Sequence, residues 1–481
     1  MTDRREAVRS NARYLRNVRP IDPEEIYEYV PGEPHPAVVR QLLREEAFDL
    51  GLVERPDGRF VPVGDDPVSP IDEPVRRLPA SYADRLDSEL ADRYGPDWHE
   101  GASGELLRST IRRLKRRYLE REPVVYDPDV AAGYAIYHLP GYYAAVQYVL
   151  SELAEGGLLG RRLRVLDVGA GVGGPALGLF DALPADALVE YHAVEPSAAA
   201  DVLETLLSGA GRNVHPTIHR TTAESFEPAD AFGSAEEGAD LVLACNVLDE
   251  LDDPEAVLRR YLGALALDGS LLALAPADRH TSVGLRALER AVEDERIEPA
   301  GDQPLEEPRV TPYSPAVRLW PGERPTDRGW SFDVRPDLET PAFQRRLDRA
   351  GDGEFVNADV QFSYSILRLD GRRRIDLAPD PDRWARMAEM DRHVTGRIDL
   401  LAAKFSHSLS EGDANPLYLI ADGSQSVDHY AVLTKETALN RALRTAGYGD
   451  LLSFERVLVL WNDDEEAYNL VVDEETIVDR L

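Results

Sequence analysis

The chain has 481 residues, 43% of them hydrophobic, and a formal net charge of −34. This length exceeds one ordinary hydrophobic core, so two or three domains are expected. No apolar run is long enough to cross a membrane, and the N-terminal stretch lacks the apolar segment of a secretory signal. The single cysteine, Cys245, excludes an internal disulfide and an all-cysteine metal site. We therefore expect a cytoplasmic protein without membrane contact.

The charged residues are unusual in kind. Only three of the 54 basic residues are lysines, Lys115, Lys404 and Lys435, and the acids are spread along the whole chain. A dense carboxylate surface keeps a protein hydrated where molar salt screens repulsion, so a halophilic protein is expected. The alternative is an acidic tail or a mimic of nucleic acid, which would gather the acids in blocks. The global charge argues neither for nor against binding to RNA.

The pattern of apolar residues divides the chain into three regions. Residues 1–128 are charged and helical, and they are a candidate for binding RNA or the ribosome. Residues 129–378 alternate short apolar strands with amphipathic helices, which indicates an α/β sheet, with an irregular insertion at about 293–355. Residues 379–481 are rich in strand patterns and predict a small β-barrel, like that of the OB-fold.

Local signals refine the two ends of the chain. Helical periodicity covers Pro36–Leu50 and Tyr82–Tyr94, and the turn Arg55-Pro56-Asp57-Gly58 predicts a hairpin. In the C-terminal region, four strands are predicted on the same grounds: Leu417–Ile420, His429–Leu433, Arg456–Leu460 and Tyr468–Val472, the last two separated by the turn Asn462-Asp463-Asp464.

The strongest motif is RVLDVGAGVGG at residues 164–174, where an apolar strand ends in Asp167 and runs into a glycine-rich turn. Glycines at 169, 171 and 173 let the backbone approach a ligand closely and adopt positive φ. Similar turns bind nucleotides at the carboxyl end of the first strand of an α/β sheet. The spacing after Asp167 is closer to the methyltransferase pattern than to the nicotinamide one, which indicates a sulfonium nucleoside as the ligand.

Polar residues follow each of the next three predicted strands. Glu195 ends Val189–Val194 and can accept both hydroxyls of a ribose. Glu224 follows Val214–His219 and could meet the adenine amine. Asn246 follows Asp240–Cys245. The predicted cofactor-binding set is therefore Asp167, Gly169, Ala170, Gly171, Gly173, Glu195, Glu224 and Asn246.

The series continues with a predicted helix over Pro254–Leu265, a break at Gly269 and a strand over Ser270–Ala275. The whole order predicts a class I S-adenosylmethionine-dependent methyltransferase, a Rossmann-like fold with a mostly parallel seven-stranded sheet. A helical N-terminal region and a small β-rich C-terminal domain flank this core. S-adenosylmethionine is the expected cofactor.

The catalytic residues cannot be named from the sequence. No proline precedes Cys245, so a half-buried core thiol is a better interpretation than a nucleophile. Asp249 or Glu250 could act as a base, but capping a helix start is the favoured interpretation. No histidine shows metal-ligand spacing, and no metal site is predicted.

Several motifs together carry a family resemblance. These are RLPASY at 77–82, YHLPGYYAA at 137–145, VLDVGAGVGG, CNVLDEL at 245–251, Ala275-Pro276 and Phe362-Ser363-Tyr364. The chain resembles, over roughly residues 75–370, the methyltransferase-like proteins associated with the mitochondrial small ribosomal subunit and their bacterial and archaeal relatives. The resemblance implies a role in small-subunit assembly or translation, with rRNA methylation and the small subunit as partner.

One departure from this family concerns an iron–sulfur cluster. Many members carry cysteines for a 4Fe–4S centre, whereas the comparable stretch here, 311–332, has none. Because cluster ligation needs thiolates, we predict that this chain binds no such cluster. Packing of Trp320 and Trp330 is expected to take its place.

The one dense basic run is Arg112, Arg113, Lys115, Arg116 and Arg117, which would cluster on a broad helical face and contact phosphates. Pairing with Glu120, Glu122 and other acids is the alternative. A shorter run, Arg372–Arg374, could add a second contact. In the C-terminal region, Tyr418 and Tyr430 are candidates for stacking on single-stranded RNA.

Three functions remain open. The first is a catalytic rRNA methyltransferase, in which catalysis is chiefly alignment of a nucleophile with the methyl group. The second is a non-catalytic assembly factor that keeps the fold; the lack of a DPPY-like clamp after the fourth strand favours it. The third is a small-molecule methyltransferase, which the large terminal additions disfavour. The oligomeric state is not indicated.

Overall fold

The structure is a computed structural model of the chain and describes residues 2–232, 238–297, 308–348 and 353–481. The chain divides into two compact units. The first comprises Met1–Cys245 and Pro336–Val360, and the second comprises Asn246–Arg335 and Gln361–Leu481. The predicted domain boundaries after residues 128 and 378 stay predictions. Within the described ranges, no helix combines the length and apolar character that a membrane span requires.

The N-terminal part of the first unit is helical, as predicted. Helix formation over 36–50 is interrupted at Glu46, so two helices form where one was expected, and the predicted hairpin is present with Val53 opposite Val61. The elements are α1 Thr2–Leu15, α2 Pro23–Ile26, a 3₁₀ turn Tyr27–Tyr29, α3 Pro36–Glu45, α4 Ala47–Leu50, β1 Leu52–Glu54, β2 Phe60–Pro62, α5 Ala80–Tyr94, α6 Gly101–Glu120 and α7 Pro128–Glu155.

A parallel sheet follows in the same unit, with the strands in the order β5–β4–β3–β6. β3 lies between two partners, and its burial is almost continuous, as expected for a central parallel strand. The elements are β3 Arg162–Val168, α8 Gly174–Ala182, β4 Leu188–Val194, α9 Ala199–Leu207, β5 Val214–His219, a 3₁₀ turn Pro228–Asp230 and β6 Ala239–Cys245.

Helix α8 lies very close to helix α7. A Cβ added to Gly178 would stand 2.3 Å from Val146 Cγ1 and 2.4 Å from Tyr143 O. Only a residue without a side chain allows this approach. The tight packing fixes the axis of α8, and with it the turn that precedes the helix.

The second unit begins with a short 3₁₀ turn and helix. The predicted helix over Pro254–Leu265 ends at Leu262, capped by Gly263, and the strand begins at Leu265. Gly269 therefore does not break a helix but lies inside a 12-residue strand. Residues 266–268 are partly or fully exposed, so the continuous buried run begins only at Gly269 and the first part of the strand was missed. The elements are a 3₁₀ turn Leu248–Glu250, α10 Pro254–Leu262, β7 Leu265–Pro276 and α11 Arg279–Val292.

The predicted insertion at 293–355 is more ordered than expected. It holds β8 Thr311–Ser314, β9 Asp333–Arg335 and α12 Ala342–Leu347, while residues 298–307 and 349–352 lie outside the described ranges. The next strand, β10 Val360–Arg368, pairs antiparallel with β7 and β8. The mostly parallel sheet of the prediction is thus parallel in the first unit and antiparallel in the second.

The C-terminal residues form a ring of five strands in the order β11–β12–β13–β15–β14, closed by pairing of β14 with β11. All neighbours in the ring are antiparallel except β13 and β15. Two strands, β11 and β16, were missed by the sequence pattern. The elements are a 3₁₀ segment Met387–His393, β11 Arg397–Lys404, β12 Leu417–Ala421, β13 His429–Leu433, α13 Ala442–Thr445, β14 Leu451–Asn462, β15 Ala467–Val472 and β16 Ile477–Arg480.

Candidate methyl-donor site

The glycine turn joins the end of β3 to the start of α8. Gly169, Gly171 and Gly173 all have positive φ, at 66°, 54° and 89°. The N–H groups of Gly169 and Ala170 both donate to Val194 O, at 2.9 and 3.3 Å, so the turn is tied to the end of β4. Because side chains at these φ values are strained, the sequence needs glycine here for the backbone to make this turn.

Glu195 holds the turn from the neighbouring strand end. Its Oε2 accepts from Gly171 N at 2.9 Å and its Oε1 from Ser197 N at 2.9 Å, and its side chain is buried. A carboxylate has about four acceptor positions, so each oxygen keeps the capacity for one further donor. Glu195 thus ties the glycine turn to the end of β4 and can still accept hydrogen bonds from the hydroxyl groups of a ligand; its predicted contact with the ribose stays a prediction.

Asp167 lies beneath the turn rather than on its surface. Its side chain is fully buried; Oδ2 accepts from Tyr191 OH at 2.6 Å, whereas Oδ1 has no partner among the described residues. Burial raises the pKa of Asp167 from 3.8 to about 7; the Tyr191 hydrogen bond opposes this shift and the charge of Glu195 adds to it. Asp167 is therefore a buried acid near the end of β3 whose Oδ1 keeps a free acceptor position, and its predicted contact with the methyl donor stays a prediction.

This pKa leads to a testable pH dependence. A carboxyl whose folded pKa is raised favours folding while it is protonated, and that contribution is lost as pH rises from about 4 through about 7. Asp167→Asn keeps an acceptor for Tyr191 but cannot ionise. We expect the free energy of unfolding of the unaltered chain, relative to Asp167→Asn, to fall by roughly 2–4 kcal/mol across this range and then level off.

Urea unfolding of both proteins at a series of pH values measures the difference directly. Asp186, which is exposed, provides the control: Asp186→Asn should leave the pH dependence unchanged. A parallel course of Asp167→Asn and the unaltered chain over the whole range would contradict the burial argument.

Gly171 faces open space. A Cβ built there would meet only Gly169 O, at 3.9 Å, whereas one on Gly173 would meet Leu203 Cδ1 at 2.6 Å. The turn therefore presents a bare backbone at Gly171 and is closed at Gly173. An exposed backbone beside a buried carboxylate acceptor is what the amino-acid and ribose parts of a sulfonium nucleoside require, so the residues present fit that ligand.

The other predicted donor-binding residues are placed as follows. Glu224 lies in the turn after β5 and is exposed, beside the buried Ala223. Asn246 directly follows β6, has φ of 55°, and donates its N–H to Leu274 O at 2.9 Å. Cys245 is buried and forms no disulfide. The left-handed backbone at Asn246 marks a strained strand end, a common feature of functional sites.

Neither acid of the LDE segment caps the following helix, contrary to the favoured interpretation. Asp253 caps α10 instead, accepting from Ala256 N at 3.0 Å, because Asp249 and Glu250 are already taken up in a 3₁₀ turn. Partial desolvation, with a smaller effect of Asp278, raises the pKa of Asp249. Asp249 thus remains a candidate base.

Sequence reasoning did not single out an aromatic row beside the turn. Tyr134, His138 and Tyr142 follow one another at four-residue spacing along α7, and the His138 and Tyr142 rings stack at 5.3 Å with planes 9° apart. A Cβ on Gly174 would lie 3.1 Å from Tyr142 Cβ, so the row ends at the glycine turn. Burial, with a smaller effect of Lys115, lowers the pKa of His138 to about 4. The i, i+4 spacing of these rings was the available signal.

Contacts within the chain account for most of the predicted phosphate patch. Arg112 binds Glu354, Lys115 Nζ donates to Glu354 O at 2.5 Å, and Arg116 and Arg117 lie 3.9 Å from Glu120 and Glu122. Arg113 alone of the five has no partner in the described part of the chain. The alternative interpretation, a helix paired with the chain's own acids, accounts for Arg112, Arg116 and Arg117, whereas Lys115 donates to a backbone carbonyl.

The aromatic residues singled out in the sequence lie in different surroundings. Tyr418 is buried in the barrel, with Lys404 Nζ 4.4 Å from its ring centroid. Its ring is therefore not available to stack on RNA, because its side chain lies on the inward side of β12. Tyr430 is half-buried. Trp320 packs inside and donates to Asp422 Oδ2 at 2.7 Å, whereas Trp330 is 37% exposed and does not fill a core as expected.

Comparison with known families identifies the class of domain. A profile described as a methyltransferase domain matches residues 166–271, which contain the glycine turn, Glu195 and Asn246. The chain therefore carries a methyltransferase domain, and the prediction of an S-adenosylmethionine-dependent methyltransferase is confirmed at this level. No group of three or more histidine, cysteine or acidic side chains within the described ranges could hold a metal ion.

The regions on either side match other profiles. Residues 5–56 match the N-terminal domain, and residues 388–481 the C-terminal domain, of a family described as a domain of unknown function, DUF8157. No curated protein gave a significant match to the chain. These matches do not test the predicted link to the ribosome.

Solved structures with similarity to the chain include several methyltransferases. The mitomycin 7-O-methyltransferase MmcR is 18% identical, with 56% of this chain and 75% of that one covered and a TM-score of 0.22. An O-methyltransferase family protein from Burkholderia thailandensis is 15% identical, with 60% of this chain and 80% of that one covered and a TM-score of 0.25. Magnesium protoporphyrin IX methyltransferase from Synechocystis PCC 6803 with bound SAM is 16% identical, with 48% of this chain and 90% of that one covered and a TM-score of 0.24.

Proposed function

We propose that this chain is an S-adenosylmethionine-dependent RNA methyltransferase that acts on the rRNA of the small ribosomal subunit in the cytoplasm. The observation that carries the methyltransferase part is the glycine turn tied to Glu195 on a parallel sheet. The sequence motifs shared with small-subunit methyltransferase-like proteins support the choice of rRNA. The single cysteine supports a reducing compartment.

The chain's own residues account for donor binding. The open backbone at Gly171 would receive the amino-acid part, and the free acceptor positions of Glu195 would receive the ribose hydroxyls. When bound, the donor supplies a methyl group activated by the sulfonium. The protein then contributes mainly by orienting the acceptor atom in line with that methyl, a proximity effect.

Acidic side chains near the end of β6 are the candidates for proton transfer. Asp249 is exposed four residues after β6, and partial desolvation raises the pKa of its carboxyl, which favours it as the general base. No clamp for an exocyclic amine occupies the segment Asn246–Asp249.

The decisive experiment is transfer of tritiated methyl from S-adenosylmethionine to deproteinised small subunits of a strain lacking the gene. We expect label in the RNA, and none with subunits from the parent strain, which are already methylated. The matched variant is Glu195→Gln, which removes one charge at unchanged size and should lower transfer about tenfold or more through weaker donor binding. Absence of label from the RNA would contradict the proposal.

A second candidate is a non-catalytic assembly factor that retains the donor-binding turn. The absence of a recognisable catalytic clamp in residues 246–249 favours it. It predicts donor binding by calorimetry and cosedimentation with small subunits, but no labelled RNA. The same transfer assay therefore separates the two candidates.

A further inference from the structure

A cavity of about 130 Å³ opens in the second unit beside the end of β7. Its wall combines aromatic rings with arginines, a composition that suits planar anionic ligands. The lining includes Arg279, Arg328, Trp330, Phe332, Leu419 and Tyr430. None of them belongs to the donor-binding turn.

Trp330 is held rigidly although its ring is exposed. Its Nε1 donates to Ala277 O at 3.3 Å, directly after β7. The next residue, Ser331, is buried, and its carbonyl accepts from Ser282 Oγ and Ser363 Oγ, both at 2.8 Å. A large aromatic ring that is fixed before binding loses little entropy when a ligand stacks on it.

Arg279 supplies positive charge at the rim. It is exposed and has no ion pair or hydrogen bond from its side chain to any described residue. Arg328 is partly engaged: its Nη2 lies 3.5 Å from Glu465 O and its Nε 3.9 Å from Asp428 Oδ2. Asp428 and Glu465 also line the cavity and lie beside Arg328. The guanidinium of Arg279 is therefore the one that is available to bind an anionic ligand.

The opposite wall belongs to the C-terminal barrel. Leu419 on β12 and Tyr430 on β13 are direct register partners, on the second and third strands of the five-strand ring. The ring order and its single parallel pair are those of an OB-fold, whose second and third strands form the face that binds oligonucleotides. The cavity thus combines a nucleic-acid-binding face with a stacking ring and a free guanidinium.

We propose that this cavity binds single-stranded RNA, with one base stacked on Trp330 and a backbone phosphate on Arg279. The inference deepens the proposed function, because it assigns to the RNA substrate a contact surface outside the donor site. It also replaces the basic run at 112–117 as the principal RNA contact. A planar anionic small molecule is the competing ligand.

The test measures binding of a fluorescently labelled single-stranded RNA dodecamer of mixed sequence to the full chain by anisotropy, without donor. We expect Trp330→Ala to weaken binding about tenfold, since one stacked base is lost. Arg279→Gln should lower the slope of log affinity against log salt by about 0.7, the value for one phosphate contact on a single strand. Trp461→Ala is the matched control, since that ring is 38% exposed in the same unit but does not line the cavity.

Three results would overturn the assignment. They are unchanged binding by Trp330→Ala, an equal loss in Trp461→Ala, and binding of a single adenosine monophosphate as tight as that of the dodecamer. Arg113→Gln is measured in the same way. If it lowers the slope of log affinity against log salt more than Arg279→Gln does, the principal phosphate contact lies on the helix that carries Arg113.

The outcome is separable from that of the proposed function. RNA binding that depends on Trp330, without methyl transfer, would keep the cavity assignment and refute the enzyme. Methyl transfer to RNA, together with unchanged binding of the dodecamer by Trp330→Ala, would support the enzyme and refute the assignment of RNA to the cavity. Hydrogen exchange over the second unit should be the same in the Trp330→Ala and unaltered proteins, which shows that the part of the chain that holds Trp330 remains folded.

Discussion

Gly171→Arg is expected to weaken binding of S-adenosylmethionine by about 100-fold or more, which corresponds to about 2.7 kcal/mol. The substitution fills the one open side of the glycine turn with a long side chain. It also places a residue with Cβ at φ of 54°, which costs roughly 1–2 kcal/mol. Isothermal calorimetry with the methyl donor measures the change in affinity.

The strain must be separated from the loss of space. Gly157, just after α7, offers a matched control, because its φ is 65° and nothing lies within 4 Å of an added Cβ. Gly157→Arg carries the same backbone cost away from the turn and should bind the donor as well as the unaltered chain. Equal donor affinity in Gly171→Arg and Gly157→Arg would refute the site.

Gly178→Ala is expected to destabilise the first unit by about 1–3 kcal/mol, or to prevent its folding. Helix propensity alone would favour alanine by about 1 kcal/mol. The added methyl, however, would meet Val146 Cγ1 and the backbone at Tyr143 O, and the backbone cannot move aside cheaply. Steric overlap between α7 and α8 therefore decides the sign.

Gly284 provides the reference for this prediction. It lies exposed within α11, with nothing within 4 Å of an added Cβ, so Gly284→Ala should raise stability by about 0.5–1 kcal/mol. Urea unfolding gives the free energies, and hydrogen exchange reports which unit opens. A Gly178→Ala protein as stable as the unaltered chain would show that α8 does not depend on this contact.

Much of the first unit could be predicted because strands β3, β4 and β6 are short, mostly apolar and almost continuously buried; β5 is half exposed, and its place in the alternation of strands and helices indicated it. Strand β5 was predicted at its observed bounds, and β4 and β6 were each one residue short at the start. The glycine turn and Glu195 were also predictable, since glycine spacing and strand ends are properties of local sequence. Both were found bonded to each other through Gly171 N.

Other features depend on contacts between distant residues and left no local pattern. Tyr191 reaches Asp167 only because β4 and β3 lie in a particular register, so the burial of Asp167 was not foreseen. β11 was missed because it is buried almost throughout and shows no alternation. Trp330 lies in a segment without periodicity, and its fixed position comes from Ser282 and Ser363, more than 30 residues away along the chain.

The first compact unit is completed by a late stretch of chain, Pro336–Val360. This stretch places Phe343, Leu347 and Phe355 in the same buried cluster as residues of α5 and α7, and Gln344 donates to Ile136 O at 2.8 Å. During synthesis, domains generally fold from the N-terminus as the chain emerges. The helices of this cluster must therefore wait, with part of their apolar surface uncovered, until translation has passed residue 360, and a nascent chain arrested before that point should be a preferred substrate for chaperones and proteases.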